Sequence, residues 1–417
     1  MLSKKENLQK NNYYKLLENK LGFIFCELIE ANDKQFKIGI IDADLLDQGT
    51  KHPNLALLKI SGYCKEFRHS VKLICDYSEI ADKLKEDIYD FLIMSKVFNF
   101  TKIPAVIQKR IDNKEIIIGG TGFYGMDSPD LPDKIEHHMP DYELYTDFIS
   151  SQTDNFTKNV IRYEDYLNYS IGFTTRGCFR KCSYCVNRKY DRVIKHSPIS
   201  EFLDPKRRGI YLWDDNFMAS PDFYTILDAL IATGKPFQFR QGLDIRLMTA
   251  DKAERLAKVK YKGDFIFAFD HIEDAEKISN SLKIWKKYYK KSTKLYVLTG
   301  YDSQDERDIE NTFERIKIIM EHGCLPYIMR YEDYKESKYK SMYIQLARWC
   351  NQPNFLKKKS FRQYCKANEE YHLTHTNIIK GYCSCYKAMI DFEMEFPEIA
   401  KKYYDLRFEE INQYKSK

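Results

Sequence analysis

The chain has 417 residues, 43% hydrophobic and 31% charged, which suits two or three domains with buried cores under a charged surface. Its longest apolar runs, such as residues 265–269, fall far short of the roughly 20 residues that cross a bilayer, and its Lys-, Asn- and Glu-rich start holds no signal-peptide core. A net charge of +6 is too mild to establish a nucleic-acid partner, so composition excludes a membrane-spanning chain, a secreted precursor and a disordered one, and a cytoplasmic protein is expected.

After a polar segment over 1–34, residues 36–41 (FKIGII) read as a buried strand. Residues 54–67 carry apolar side chains at helical spacing: Leu55, Leu58, Ile60, Cys64 and Phe67. A strand at 70–75, a helix at 78–87 and strands at 90–97 and 116–120 follow. Strands alternating with helices mean a parallel sheet covered on both faces, so 35–125 is expected to be a small doubly wound, Rossmann-like domain. Residues 126–168, with Pro129, Pro132 and Pro140 among polar residues, read as a linker.

Strand-like runs then recur at 170–174, 209–213, 237–241, 265–269, 294–299 and 325–330, about one βα unit apart. Helical patterning fills 223–233, 250–259, 274–289 and 306–323, with Asp251 and Asp274 at helix starts and Gly323 at a C-cap. Residues 169–335 are therefore expected to form a partial (βα)6, TIM-like barrel, whose functional face is the C-terminal ends of its strands. Residues 336–417 read as a mostly helical extension.

Eleven cysteines, an odd number in a chain with no export signal, point to metal or redox chemistry rather than a disulfide framework. Cys26, Cys64, Cys75 and Cys324 read as buried thiols. Cys178, Cys182 and Cys185 fall in TTRGCFRKCSYC (174–185), just past the first strand of the barrel-like repeat. Soft thiolates at C-x3-C-x2-C spacing suit an iron–sulfur cluster or zinc. Three ligands rather than four leave a metal position open, as a catalytic site requires. Gly177 lets the backbone approach a bulky group, and Arg176, Arg180 and Lys181 favour the thiolate forms.

This C-x3-C-x-aromatic-C at the end of the first strand of a six-unit repeat resembles the radical S-adenosylmethionine (SAM) enzymes, over about residues 165–335. The resemblance implies that Cys178, Cys182 and Cys185 hold a 4Fe-4S cluster whose fourth iron binds SAM. It further implies reductive cleavage of SAM to a 5′-deoxyadenosyl radical that abstracts hydrogen from a substrate, with electrons from a partner such as a flavodoxin or ferredoxin. Zinc with a distant fourth ligand is the bland alternative.

The other strand ends are similar to the family's SAM-binding segments. Asp214, Asp215 and Asn216 can accept hydrogen bonds from an ammonium group or, more simply, cap a helix. Arg240, Gln241 and Asp244 follow the third strand, where an Arg can pair with a carboxylate. Asp270 is placed to hold ribose hydroxyls, and Tyr184 to pack near adenine. Plain loop polarity is the alternative for each.

The front domain, with its Gly119-Gly120 turn, resembles the cobalamin-binding domains that precede some radical SAM barrels. It lacks an Asp-x-His-x-x-Gly segment to ligate cobalt, so cobalamin is doubtful and a degenerate domain that shapes the substrate opening is expected. Cys350, Cys365, Cys383 and Cys385 are candidates for a second metal site or are simply reduced thiols. Seven basic and no acidic residues between Lys340 and Lys366, interleaved with Tyr343, Trp349, Phe355, Phe361 and Tyr364, suggest a nucleic-acid surface or a solvated helix face. The function expected is a radical SAM enzyme acting by methylation, methylthiolation or related C–H functionalisation on an unidentified substrate. The alternative is a non-catalytic, metal-containing nucleic-acid-binding module.

Overall fold

The computed structural model describes residues 23–31, 34–81, 88–152 and 163–414. The chain is mixed α/β with parallel sheets and divides into two compact units, 1–213 and 214–417, a division that falls inside the expected 169–335 domain.

In the first unit, β1 (Lys37–Asp42), β2 (Ser70–Leu73), β3 (Phe91–Ser95) and β4 (Ile117–Gly119) form a wholly parallel sheet in the order β2-β1-β3-β4. Alternation in β3 sends Phe91 and Ile93 into one apolar layer and Leu92 and Met94 into the other. Helix Leu55–Glu66 covers the first face, where Leu57, Leu58 and Ile60 pack. Helix Ala105–Asp112 covers the second with Ile107 and Ile111. Helices thus lie on both faces of a parallel sheet, while part of the expected 78–87 helix lies outside the described residues.

Residues 126–168 are a correction. Ile135, Leu144, Tyr145, Ile149, Tyr163 and Tyr166 are all buried in the first of those apolar layers, so the segment completes a domain instead of linking two. Its prolines start structure: Pro132 precedes the short helix Asp133–Glu136.

The first unit ends with β5 (Tyr169–Gly172), β6 (Thr175–Arg176), β7 (Ile194–Lys195) and β8 (Gly209–Leu212), β5 and β8 pairing in parallel. In the second unit, β9 (Phe237–Phe239) is tied to β10 (Phe265–Ala268) by single bridges at Phe237–Tyr261 and Leu243–Phe267. β10, β11 (Thr293–Thr299) and β12 (Leu325–Arg330) form a parallel ladder. Helices Phe223–Ala232, Ala250–Ala257, Ala275–Tyr288 and Glu306–Glu321 occupy the expected intervals. No closed barrel is formed among the described residues. The remainder, from Lys340 onward, is helical, and no described helix is long and apolar enough to cross a membrane.

Candidate metal centre

The cysteine loop is closed at its base. β6 and β7 pair antiparallel, Thr175 with Lys195 and Arg176 with Ile194. The zip continues as the His196 N–H donates to the Thr174 carbonyl at 2.9 Å. Cys178, Cys182 and Cys185 all lie within the enclosed 177–193 segment, half-buried and in thiol form. A turn in which the Cys185 N–H donates to the Cys182 carbonyl at 3.0 Å sets the spacing of the last two. The Arg180 N–H donates to Cys178 Sγ and the Asn187 N–H to Cys185 Sγ, each at 3.4 Å. Such bonds stabilise negative charge on sulfur.

Gly177 has a structural reason distinct from the one expected. Its φ of +90° is a left-handed conformation, and an added Cβ would lie 2.5 Å from the Arg192 carbonyl oxygen and 2.8 Å from Tyr190 Cβ. The glycine thus lets the outgoing arm of the loop pass close to the incoming one. Lys181 fastens the same two arms: its ammonium donates to the Arg188 and Tyr190 carbonyls (2.7 and 2.5 Å) and pairs with Asp191 at 2.6 Å. Its charge is therefore committed to the loop. Arg176 stacks on Phe173 and Arg180 on Phe179, with guanidinium carbons 4.0 and 4.8 Å from the ring centres.

Beneath the loop lies a polar cluster that the sequence pattern did not single out. Buried Lys59 pairs with Glu136 at 2.8 Å, and His196 lies 3.4 Å from the same carboxylate. His137 pairs with Glu201 at 2.8 Å and stacks on His196, ring centres 5.1 Å apart. Burial, together with Lys59 and Arg176, lowers the His196 pKa to about 4, so the ring is neutral at neutral pH. The only prior signal was His137-His138 in a segment read as linker.

Three soft thiols on one pinned loop, two of them receiving amide N–H groups, fit an iron–sulfur cluster. Among the described residues no group of three His, Cys, Asp or Glu side chains is close enough to hold a single metal ion. A cubic cluster spreads its thiolates more widely than one tetrahedral ion does.

Tyr184 shares the cysteine loop and is half-buried. The other seven candidates lie in the second unit. Asp214 and Asn216 are buried, and Asn216 makes no side-chain capping bond to the turn Phe217–Ala219 that it precedes. Asp244 has a local role: it accepts from the Arg246 N–H and from Arg246 Nε (2.7 Å), and Arg246 reaches on to Asp274 at 2.5 Å. Arg240 donates to Gln238 at 2.9 Å, and Gln241 is exposed. Asp270 is half-buried, and its carbonyl, with those of Phe269 and Leu298, receives the guanidinium of buried Arg315. Arg315 thereby braces the ends of β10 and β11.

Of the C-terminal cysteines, Cys365 and Cys385 touch, their sulfurs 3.5 Å apart, and all four are buried. Burial raises the pKa of Cys350 and Cys365, holding them as thiols. Of the two readings of the run 340–366, the structure matches the helix face with its aromatics turned inward: Tyr343, Trp349, Phe361 and Tyr364 are core residues, and Phe355 is half-buried. Arg362 is forked onto Glu393 (2.7 and 2.8 Å) and also pairs with Asp405. No aromatic stacking platform exists along that run.

The order β2-β1-β3-β4 places the topological switch point between β1 and β3. The protein's own groups fill it. Asp42 is buried and receives the Tyr145 hydroxyl at 2.8 Å, and burial pushes its carboxyl pKa up to about 6. Asp44 accepts from the Val97 and Phe98 N–H groups, and Gly120 nests against the Lys96 carbonyl. His52 is paired with Asp165 at 2.6 Å. Both buried carboxyls are thus engaged by the protein's own donors, while an added Cβ at neighbouring Gly119 would meet nothing within 4 Å.

No family model matches the chain, and no curated protein matches it. Among solved structures it is similar to the radical S-adenosylmethionine methyltransferase TsrM from Kitasatospora setae, determined with cobalamin and a 4Fe-4S cluster bound. That alignment covers 71% of this chain and 72% of TsrM at 12% identity, with a TM-score of 0.45. It is also similar to OxsB, a cobalamin-dependent S-adenosylmethionine radical enzyme determined with aqua-cobalamin bound, at 14% identity and a TM-score of 0.34. That second alignment covers 91% of this chain and 58% of OxsB. Similarities this distant do not assign a family.

Proposed function

We propose that the chain is a radical SAM enzyme in which Cys178, Cys182 and Cys185 hold a 4Fe-4S cluster. The observation that carries this reading is the cysteine loop itself: three thiols at C-x3-C-x2-C spacing, enclosed by the β6–β7 ladder, with amide N–H groups on two sulfurs. Such a cluster supplies the electron that cleaves SAM reductively. The loop orients the thiolates, and its half-buried position limits their exposure to water. In this reading Asp214, Asp215 and Asn216 accept hydrogen bonds from the SAM ammonium and Arg240 and Gln241 meet its carboxylate. Asp270 takes the ribose, its backbone held by Arg315, while Asp244 serves through Arg246. The expected partial barrel over residues 169–335 is the scaffold in this reading, and each unit supplies parallel strands to that stretch, β5 and β8 in the first and β10–β12 in the second. Cobalamin is doubtful in this reading, because the sequence holds no Asp-x-His-x-x-Gly segment to ligate cobalt. A small reducing protein of the flavodoxin or ferredoxin kind supplies electrons.

Anaerobic reconstitution with iron and sulfide, followed by reduction and EPR with and without SAM, tests the reading. A cluster signal that changes on adding SAM, with release of 5′-deoxyadenosine, is expected. Cys182→Ala is expected to lose both the iron and SAM cleavage. Full iron content in that variant overturns the assignment, and a zinc-loaded, EPR-silent wild type favours a non-catalytic metal module.

A further inference from the structure

A cluster of uncompensated charge in the second unit lies at the N-terminal end of its sheet, the opposite end of the strands from Asp270. Between residues 277 and 294 there are seven lysines and no acidic residue. They occupy helix Ala275–Tyr288 and the turn into β11. Lys283 and Lys287, one helical turn apart, share a face. Lys290 and Lys291 follow just beyond the helix end. All four are exposed, and none is within ion-pair distance of a described carboxylate. The register Phe265–Thr293 sets the turn before β10 beside the turn before β11, which adds exposed Lys260 to the same edge.

The interior beneath this edge does not neutralise it. Lys286 is buried at 3% exposure, with its ammonium on the Lys291 carbonyl at 3.4 Å and no carboxylate partner. Burial and neighbouring Lys290 lower its pKa. His322, also 3% exposed, keeps Nε2 on Ser279 at 2.8 Å, while Nδ1 has no hydrogen-bond partner. Burial, then Lys283 and Lys286, bring its pKa to about 4. Cations in the last helical turn answer the helix dipole, which accounts for Lys286 and Lys287 but not for Lys260, Lys290 and Lys291 outside the helix.

We propose that this lysine edge binds the phosphate backbone of a nucleic acid. No large apolar side chain between residues 258 and 294 is exposed. A protein interface needs an apolar centre, and a membrane-lying helix needs an apolar face. Phosphate contacts need neither, since displaced counterions drive the association. Lysine ammoniums are point charges that suit phosphates and do not read base edges, so the binding is independent of sequence. The site does not depend on the radical SAM reading, since it involves none of those residues.

The test is fluorescence anisotropy of the full chain with a labelled single-stranded RNA of mixed sequence and about 20 nucleotides, longer than a typical single-strand site, between about 50 and 200 mM salt. The wild type is expected to bind with an affinity that falls steeply with salt. The variant K283Q/K287Q/K290Q/K291Q is expected to bind at least about tenfold more weakly, with the log–log salt slope reduced by about 3 (about 0.7 for each phosphate no longer neutralised). Its circular dichroism spectrum and melting temperature should match the wild type, because all four side chains are exposed. The control K357Q/K358Q, on exposed lysines elsewhere, should bind as the wild type does. Absent RNA binding at low salt, or equal affinity in the quadruple variant, overturns the proposal. So does capture of an acidic flavodoxin, in place of RNA, with the same lysine dependence.

Discussion

Two titratable groups in the first unit, buried Asp42 and half-buried His196, pull its acid stability in opposite directions. The Asp42 carboxyl rises from 3.8 to about 6 because burial disfavours its charge. The folded state therefore holds that proton more tightly than the unfolded chain, and the contribution, complete below about 4, is lost as pH rises through 6. Asp42→Asn keeps Oδ1 as acceptor for the Leu45 N–H and turns its amide NH2 toward the Tyr145 oxygen, without the ionisation. We expect the variant to match the wild type near pH 4 and to exceed it by about 3 kcal/mol at pH 7, from about 2 pKa units at 1.36 kcal/mol each. Urea midpoints across that range are the measurement, and a difference that does not grow with pH removes the argument. His196 runs the other way: its pKa drops from 6.5 to about 4, so its contribution is present above 6.5 and lost as pH falls toward 4. His196→Gln should flatten that acid-side loss in the same titration.

The two arms of the cysteine loop and the segment 126–168 make a common point about elements. Among the described residues neither forms a long regular structure, yet each is held by side chains from distant parts of the first unit. Helix Asp133–Glu136 has only four residues, too few to persist alone, but it buries Ile135 completely and presents Glu136 to Lys59. Ile135→Ala should destabilise the first unit by about 2–5 kcal/mol, the cost of a cavity in a core. A linker residue would change stability by no more than about 0.5 kcal/mol, so chemical denaturation separates the two cases. Because Glu136 faces His196 at the base of the loop, the same variant should also lower the iron retained after reconstitution.

Across the whole molecule a net charge of +6 conceals its distribution. The C-terminal basic run is partly neutralised by Glu393 and Asp405, whereas among the described residues the lysines of 277–294 meet a carboxylate only at Lys294, through Asp264. Metal loop and lysine edge thus belong to different units and should fail independently. Cys182→Ala, stripped of iron, is expected to keep the salt-dependent RNA affinity of the wild type within about twofold, well under the tenfold that 1.4 kcal/mol represents. Joint loss of iron and RNA binding would mean that the two sites are coupled.

Strand and helix positions were legible in the order of residues because period-2 and period-3.6 patterns are local: β12 spans the residues expected of it, and helix Leu55–Glu66 falls within its predicted range. The cysteine spacing was legible for the same reason. Pairing and burial were not. Tyr145 reaching Asp42 across 103 positions, Lys181 closing its own loop, and Trp349 turning into the core depend on which surfaces meet in space. The aromatic-basic run 340–366 left two readings open because sequence shows that a side chain is aromatic, not which way its helix faces. Tertiary packing decided that, hiding those rings and leaving Lys283, Lys287, Lys290 and Lys291 in solvent.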